Sequence, residues 1–320
     1  MKQIVRALWI TAAVIAAPQL QAKEVFPMRS VTIVVPYSAG GVTDYFARQV
    51  GFKLSKMWGQ PVVVDNRAGG GTIIGTQLAS KAPADGYTLL FTSYGFTANH
   101  VLRQNLPYPT GAFRPVALLG SSHNVLLVTN RLKGKSLNDL LAAAKADPRS
   151  LKLASSGLAS SPHIGAEFFA KKTGIEFTHV PYKGQGPSMT DLIAGVVDGM
   201  FDGMSSYSQV KAGTVGAVAI AANQRHPAAP EIPTFKELGV DLVAGTWFGM
   251  LAPAGTPDAV VTKINADMRQ ALQDPELKAQ IAKTGLSIST STPEAFGQFL
   301  SQESAKLQNL VNQGVKIDLN

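Results

Sequence analysis

The chain contains no cysteine and little charge: of its 320 residues only 16% are Asp, Glu, Lys or Arg. Without cysteine there can be no disulfide framework, no thiolate zinc site and no iron–sulfur cluster. The 30 glycines follow no three-residue period, which excludes a collagen-like helix. The five histidines, at 100, 123, 163, 179 and 226, never fall three or four apart, so a metal is not expected. Basic runs of five or six are absent, as is any nucleic-acid motif, and nucleic acid is not an expected partner. No apolar run approaches the roughly twenty residues that cross a bilayer.

Cofactor motifs are also missing. Gly69-Gly70-Gly71-Thr72-Ile73-Ile74-Gly75 misses the third glycine of a dinucleotide fingerprint by one position, and as a phosphate loop it lacks the Lys after Gly75. There is no G-x-S-x-G nucleophile elbow. No cofactor is expected.

What is present begins with an address. Lys2 and Arg6 precede the apolar stretch 7–17, followed by Pro18 and the small-residue site at Leu20-Gln21-Ala22. That layout predicts a secretory signal peptide over 1–22, cleaved after Ala22. Removing it leaves 27 basic against 21 acidic residues, a formal charge of +6, with the basic groups scattered in a way that suits solubility and mild steering of anions.

From residue 30 onward, short β-branched runs alternate with amphipathic segments, the pattern of βα units on largely parallel sheets. Strands are predicted at 31–35, 62–64, 88–92, 116–119, 125–129, 151–154, 177–180 and 215–221. A helix over 43–58 places Phe46, Val50, Leu54 and Met57 on one face and stops at Gly59. Ser136 and Asp139 form a capping box for a helix reaching Ala146, 162–173 is a helix closed by Gly174, and Ser188 opens another. Thr256-Pro257 and Thr292-Pro293 each read as an N-cap followed by proline at the first helical position.

Four loops rich in hydrogen-bond donors lie between a predicted strand and a predicted helix: Ser38 to Thr43, Thr92 to Tyr94, Ser155 to His163, and Lys183 to Ser188. Helix N-termini and free backbone N–H groups at such positions suit an anion, and ligands of open α/β sheets bind at this end. Two of the loops share letters: Val35-Pro36-Tyr37-Ser38-Ala39-Gly40-Gly41 and Val180-Pro181-Tyr182-Lys183-Gly184-Gln185-Gly186. The match is either chance or the mark of two similar domains. Asp44, in the first turn of its helix, is better read as satisfying orphan N–H groups than as meeting a ligand amine. Asp202 reads equally as a hinge residue or a cleft acceptor. Trp247 suits a core, and Arg48 and Arg67 suit structural ion pairs. Ser155, Ser160 or Ser161 with His163 is the one pairing a secreted serine hydrolase could use.

These segments together resemble the Bug family, the extracytoplasmic solute receptors of tripartite tricarboxylate transporters. The resemblance is carried by Val34 to Gly41 with Asp44, Ala47 and Arg48; Val63 to Gly71 with Ile74-Gly75; and Asp85 to Leu90. It continues through Ser156 to Ser161 with His163, His179 to Pro187, Val197-Asp198 with Met200-Phe201-Asp202, and Leu251 to Pro257. It implies a type II periplasmic binding protein, two doubly wound α/β domains with a ligand cleft between them. The implied domains are 23–124 plus 245–320, and 125–244. It further implies a monomer that binds a small carboxylate (a di- or tricarboxylate, acidic amino acid or aromatic acid) and delivers it to membrane transporter subunits. A sensor feeding a membrane signalling partner is the alternative. The loops Tyr37 to Thr43 and Tyr182 to Gly186 would act as pincers. The expected ligand-binding set is Tyr37, Ser38, Ala39, Gly40, Gly41, Thr43, Asp44, Ser93, Ser155, Gly157, Ser160, Ser161, His163, Tyr182, Lys183, Gly184, Gly186 and Asp202. Many relatives have Phe-Pro where this chain has Tyr37-Ser38, and the serine adds a hydroxyl and a backbone N–H that proline lacks.

Overall fold

The computed structural model describes residues 26–315, 317 and 319, so the predicted signal peptide lies outside the described residues. The first half of the chain forms β1 (Val31–Val35), α1 (Val42–Trp58), β2 (Val62–Asn66), α2 (Ile73–Ser80), β3 (Thr88–Ser93), α3 (Gly95–Leu102), β4 (Phe113–Thr129) and α4 (Leu137–Ala146). The middle forms β5 (Lys152–Ser155), α5 (Ser161–Thr173), β6 (Thr178–Pro181), α6 (Gln185–Ala194), β7 (Gly199–Gly203), α7 (Tyr207–Lys211) and β8 (Val215–Ile220). The chain then runs through β9 (Gly245–Pro253), α8 (Asp258–Ala271), α9 (Pro275–Ala282), β10 (Ser287–Ile288) and α10 (Pro293–Asn312).

Strands follow the spatial order β2-β1-β3-β9-β4-β7-β5-β6, with β10 and β8 also paired to β4. On one side β1 pairs in parallel with β2 and β3, and β9 runs antiparallel between β3 and β4. On the other, β5 pairs in parallel with β6 and β7, while β7 and β8 run antiparallel to β4. Because side chains alternate along a strand, each half carries a core on both sheet faces. Ile33 and Val35 join Phe46, Leu54, Ile264 and Met268, whereas Val34 joins Trp247, Phe296 and Leu307. In the second half Leu126 and Val128 pack with Phe169 and Phe201, and Val125 and Leu127 with Leu192 and Met200. Phe46 meets Phe91 and Phe248 edge-on at 5.5 and 5.8 Å, contacts worth about 0.5–1.5 kcal/mol each beyond their burial.

Helix ends follow local rules. Gly59 and Gly174 close α1 and α5 in the left-handed conformation, Ser136 and Asp139 make the reciprocal capping box of α4, and Thr292 caps α10 with Pro293 at its first position. Three expectations are corrected, the first at α8, where Pro257 rather than Thr256 holds the N-cap position and the Thr256 hydroxyl donates to the Pro253 carbonyl. Strands predicted at 116–119 and 125–129 are one 17-residue strand, β4. Gly120-Ser121-Ser122-His123-Asn124 carries no apolar signal because there β4 leaves one sheet and enters the other; pairing of Ser121 to His123 with Trp247 to Gly245 keeps it extended. The helix expected from Ser188 begins at Gln185, since side-chain bonds of Gln185 and Ser188 hold a first turn that Gly184 and Gly186 disguise as loop. No helix among the described residues is long and apolar enough to cross a membrane.

Candidate functional site

All four donor-rich loops converge. A narrow void of about 40 Å³ is lined by Ser38, Gly41 and Thr43 from the β1–α1 loop, Ser93 from β3, Ser156, Ser160 and Ser161 from the β5–α5 loop, and Gln185 at the start of α6. Each loop leaves the carboxyl end of a strand, so the N-terminal N–H groups of α1 and α5 and the positive ends of their dipoles face the same space. Among the described lining residues there is no Lys, Arg or His, and Asp202 is the only carboxylate. An anion placed here would be held by neutral donors.

The wall from β1 and β3 is built on Tyr37. Its hydroxyl shares a 2.7 Å hydrogen bond with Ser93 Oγ, and burial pushes the phenol up to about 12 despite that bond. Asn66 Nδ2 donates to the Tyr37 carbonyl at 3.1 Å and fixes the loop. Ser38 Oγ is sealed from solvent with no hydrogen-bond partner, an unsatisfied group at the cleft edge. Asp44 turns away from the void: its carboxylate accepts from Gly40 N–H at 3.0 Å and pairs with Arg48 at 2.9 Å. Burial would raise this carboxyl, but hydrogen bonds from Arg48, Gly40 N–H and Asn66 outweigh it and hold the group below its ordinary value. Arg48 also donates to Asn66, and Arg67 pairs with Asp65.

On the opposite wall, Ser161 Oγ donates to the Gly245 carbonyl at 2.7 Å and accepts from Asn124 Nδ2 at 2.9 Å, tying α5 to the strand crossings. Ser160 Oγ caps α5 by accepting from His163 N–H. The His163 ring is fully buried, accepts from Ala159 N–H through Nδ1, and stacks on His179 at 3.9 Å. Neither Ser160 nor Ser161 therefore has the His163 ring as a base. Ser155 is buried and pairs with His179 Nε2 at 2.7 Å, while also bonding within its own turn to Gly157. Asp202 accepts from Ser206 Oγ and from Gln185 Nε2, and burial drives its carboxyl above the usual value despite those donors.

The two pincer loops touch. Ser38 N–H donates to the Lys183 carbonyl at 3.2 Å, and Val42 N–H donates to Gln185 Oε1 at 2.7 Å. Lys183 is exposed and offers its backbone to the first loop, and the Tyr182 hydroxyl donates to Asp191 at 2.6 Å. Gly157, Tyr182 and Lys183 line an adjoining recess with Tyr37 and Ser160. Gly184 is buried against Ser38, Gly186 faces Ala39, and Ala39 and Gly40 are exposed on the outer turn. Trp247 is buried and meets Phe296 and Phe299 edge-on.

Sequence reasoning missed several residues of the void: Gln185, Ser122, Asn124, Ser205, Thr246 and Phe248. Gln185 stood inside a motif already singled out, so its polar side chain between two glycines was the available signal. The others lie on β4, β9 and the turn after β7, and only tertiary pairing brings them there. No group of three or more metal-ligating side chains occurs among the described residues.

Comparison with known proteins fits this geometry. Protein BugT of Bordetella pertussis is 34% identical over 316 residues, covering 97% of this chain and 96% of its own. The periplasmic binding protein BugD superposes with a TM-score of 0.86 at 30% identity, over 91% of this chain and 99% of that one. R. palustris Rpa4515 with adipate gives 0.86 at 33% identity, covering 90% and 97%. MatC from Rhodopseudomonas palustris with bound malate gives 0.85 at 30%, covering 89% and 100%. The fold is thus that of the type II periplasmic binding proteins, two α/β domains with a cleft between them, and its relatives are solute-binding receptors rather than enzymes. Residues 46–315 match the family described as tripartite tricarboxylate transporter family receptor, and the chain belongs to that family.

Proposed function

We propose that this receptor captures a small carboxylate by closing its two domains and presents the closed complex to the membrane subunits of a tripartite transporter. The observation that carries the reading is the convergence of four strand-to-helix loops on one void, lined by neutral donors and containing the unsatisfied Ser38 hydroxyl. Malate and adipate in structural neighbours support a carboxylate as the ligand class. The proposed contacts are Ser38, Thr43 and Ser93 on one wall and Ser156, Ser160 and Ser161 on the other. Asp44, His163 and Tyr182 support these loops from behind.

We place the domain boundaries near 124/125 and 244/245, with the hinge where β4 passes from one sheet to the other and the chain returns into β9, and the closed form as a monomer. Export by the 1–22 segment delivers the receptor to the periplasm. Ligand shifts the open–closed equilibrium through contacts made only on closure. A thermal-shift screen of the chain from Lys23, refolded to strip co-purified ligand, against mono-, di- and tricarboxylates, acidic amino acids and aromatic acids tests the reading. Ligand at about 1,000 times Kd stabilises by roughly 4 kcal/mol, a clear upward shift. A selective acid hit is the expected result; response to none of these classes refutes the assignment.

A further inference from the structure

Gln185 is the one side chain that hydrogen-bonds to both walls of the void through the two ends of a single amide, among the described residues. It occupies the first position of α6, yet its Oε1 accepts from Val42 N–H at 2.7 Å, 143 residues away at the start of α1. Its Nε2 lies 2.6 Å from Asp202 Oδ2 and 3.0 and 3.1 Å from the Ser205 and Ser206 hydroxyls. Every polar atom of the side chain is engaged.

The position of Oε1 matters most. Val42 N–H is an orphan donor of the 17-residue α1, and the N-cap, Gly41, has no side chain to satisfy it. A carboxylate oxygen would be favoured there by the donor and the helix dipole together. A carboxamide oxygen, of similar size and also an acceptor, already takes that place. Displacing it also strips a donor from the buried Asp202, so the amide is not free to swing aside.

We infer that Gln185 is the specificity-determining residue of the cleft and sets ligand length: its carboxamide takes the place of a distal carboxylate and confines the receptor to compact acids. The inference rests on the carboxylate-receptor reading. Shortening the side chain frees Val42 N–H and the space of the amide, so longer α,ω-dicarboxylates gain a second anchoring point. Asp202 keeps the Ser206 hydroxyl and the Gly203 N–H in such a variant.

The test is calorimetric titration of the wild type, Gln185→Asn and Gln185→Ala with succinate, glutarate, adipate and suberate. One methylene in a fitted pocket discriminates by about 10-fold or more, so the adipate-to-succinate affinity ratio should rise by at least about 10-fold from wild type to Gln185→Ala. Gln185→Asn, chemically conservative and one methylene shorter, should fall between, and it carries the test alone if the alanine variant loses its cooperative melt. The same length preference in all three proteins overturns the inference and leaves the carboxylate reading intact. Binding of no member of the series by any of the three, with another acid class found in the thermal-shift screen, overturns the inference alone; silence in the titrations and in the whole screen overturns both.

Discussion

The direct contact between the pincer loops makes Gly184 the sharpest point at which to perturb closure. Its φ of 154° with ψ of 177° lies in a region that side-chain-bearing residues rarely enter, at a cost of about 1–3 kcal/mol. A Cβ added there would sit 3.3 Å from both the Cβ and the backbone N of Ser38, and closer to its Oγ than any real Cβ tolerates. The clash falls on the form in which the loops meet, whereas the strain belongs to the loop itself and acts on stability rather than affinity. At about 1–3 kcal/mol for overpacking and about 1.4 kcal/mol per tenfold change, the clash weakens binding about 5- to 150-fold in Gly184→Ala. Calorimetry with an acid hit gives the affinity, and the melting temperature of the ligand-free variant checks that the fold is intact. Ser38→Gly removes the opposing Cβ and Oγ, so Gly184→Ala should cost less affinity in a Ser38→Gly background than in the wild type. Gly40→Ala is the control: its φ is also positive, but a Cβ there meets nothing within 4 Å, so affinity should stay nearly unchanged. Undiminished affinity in Gly184→Ala, or an equal loss with and without Ser38→Gly, refutes closure through this contact.

Other consequences are independent of the ligand. Asp44 titrates below its ordinary 3.8 in the folded protein, so its contribution is present above that pH and disappears as pH falls through the lower folded value. Asp44→Asn should lower the melting temperature by about 2 °C at neutral pH, a loss of about 1 kcal/mol, and the gap should close in strong acid; a gap that persists there removes the charge from the explanation. Asp202 has the opposite sign: its raised carboxyl favours folding at low pH and less so as pH rises through the window above 3.8, and a scan of Asp202→Asn against wild type should show that slope flattened. Gly249 lies under Phe296, whose ring carbons would be 2.9 and 3.0 Å from an added Cβ. Gly249→Ala should cost about 1–3 kcal/mol by overpacking while leaving the affinity of the folded protein unchanged, as differential scanning calorimetry and titration would show.

Much of the architecture was legible because it is local. Short β-branched apolar runs gave β1 and β3, the capping box gave α4, and Gly59, Gly174 and Thr292-Pro293 marked helix ends. The donor-rich loops were legible as a class, since serines, threonines and glycines between a strand and a helix have a composition of their own. Less legible were β9, absent from the predicted strands, and the middle of β4, whose Ser121, Ser122 and His123 carry no apolar signal and are held extended by β9 beside them. The start of α6 was misplaced by three residues for a related reason: the bonds that hold its first turn come from α1 and β7.

The sequence by itself determined the alternating elements, their caps and the chemical character of the loops, because these depend on residues a few positions apart. Tertiary structure alone decided which loops meet, that the serines of β4 and the turn after β7 join the same void, and that Gln185 spans it. Those outcomes depend on contacts between residues more than a hundred positions apart, such as Val42 with Gln185 and Ser122 with Thr246, which no local periodicity encodes.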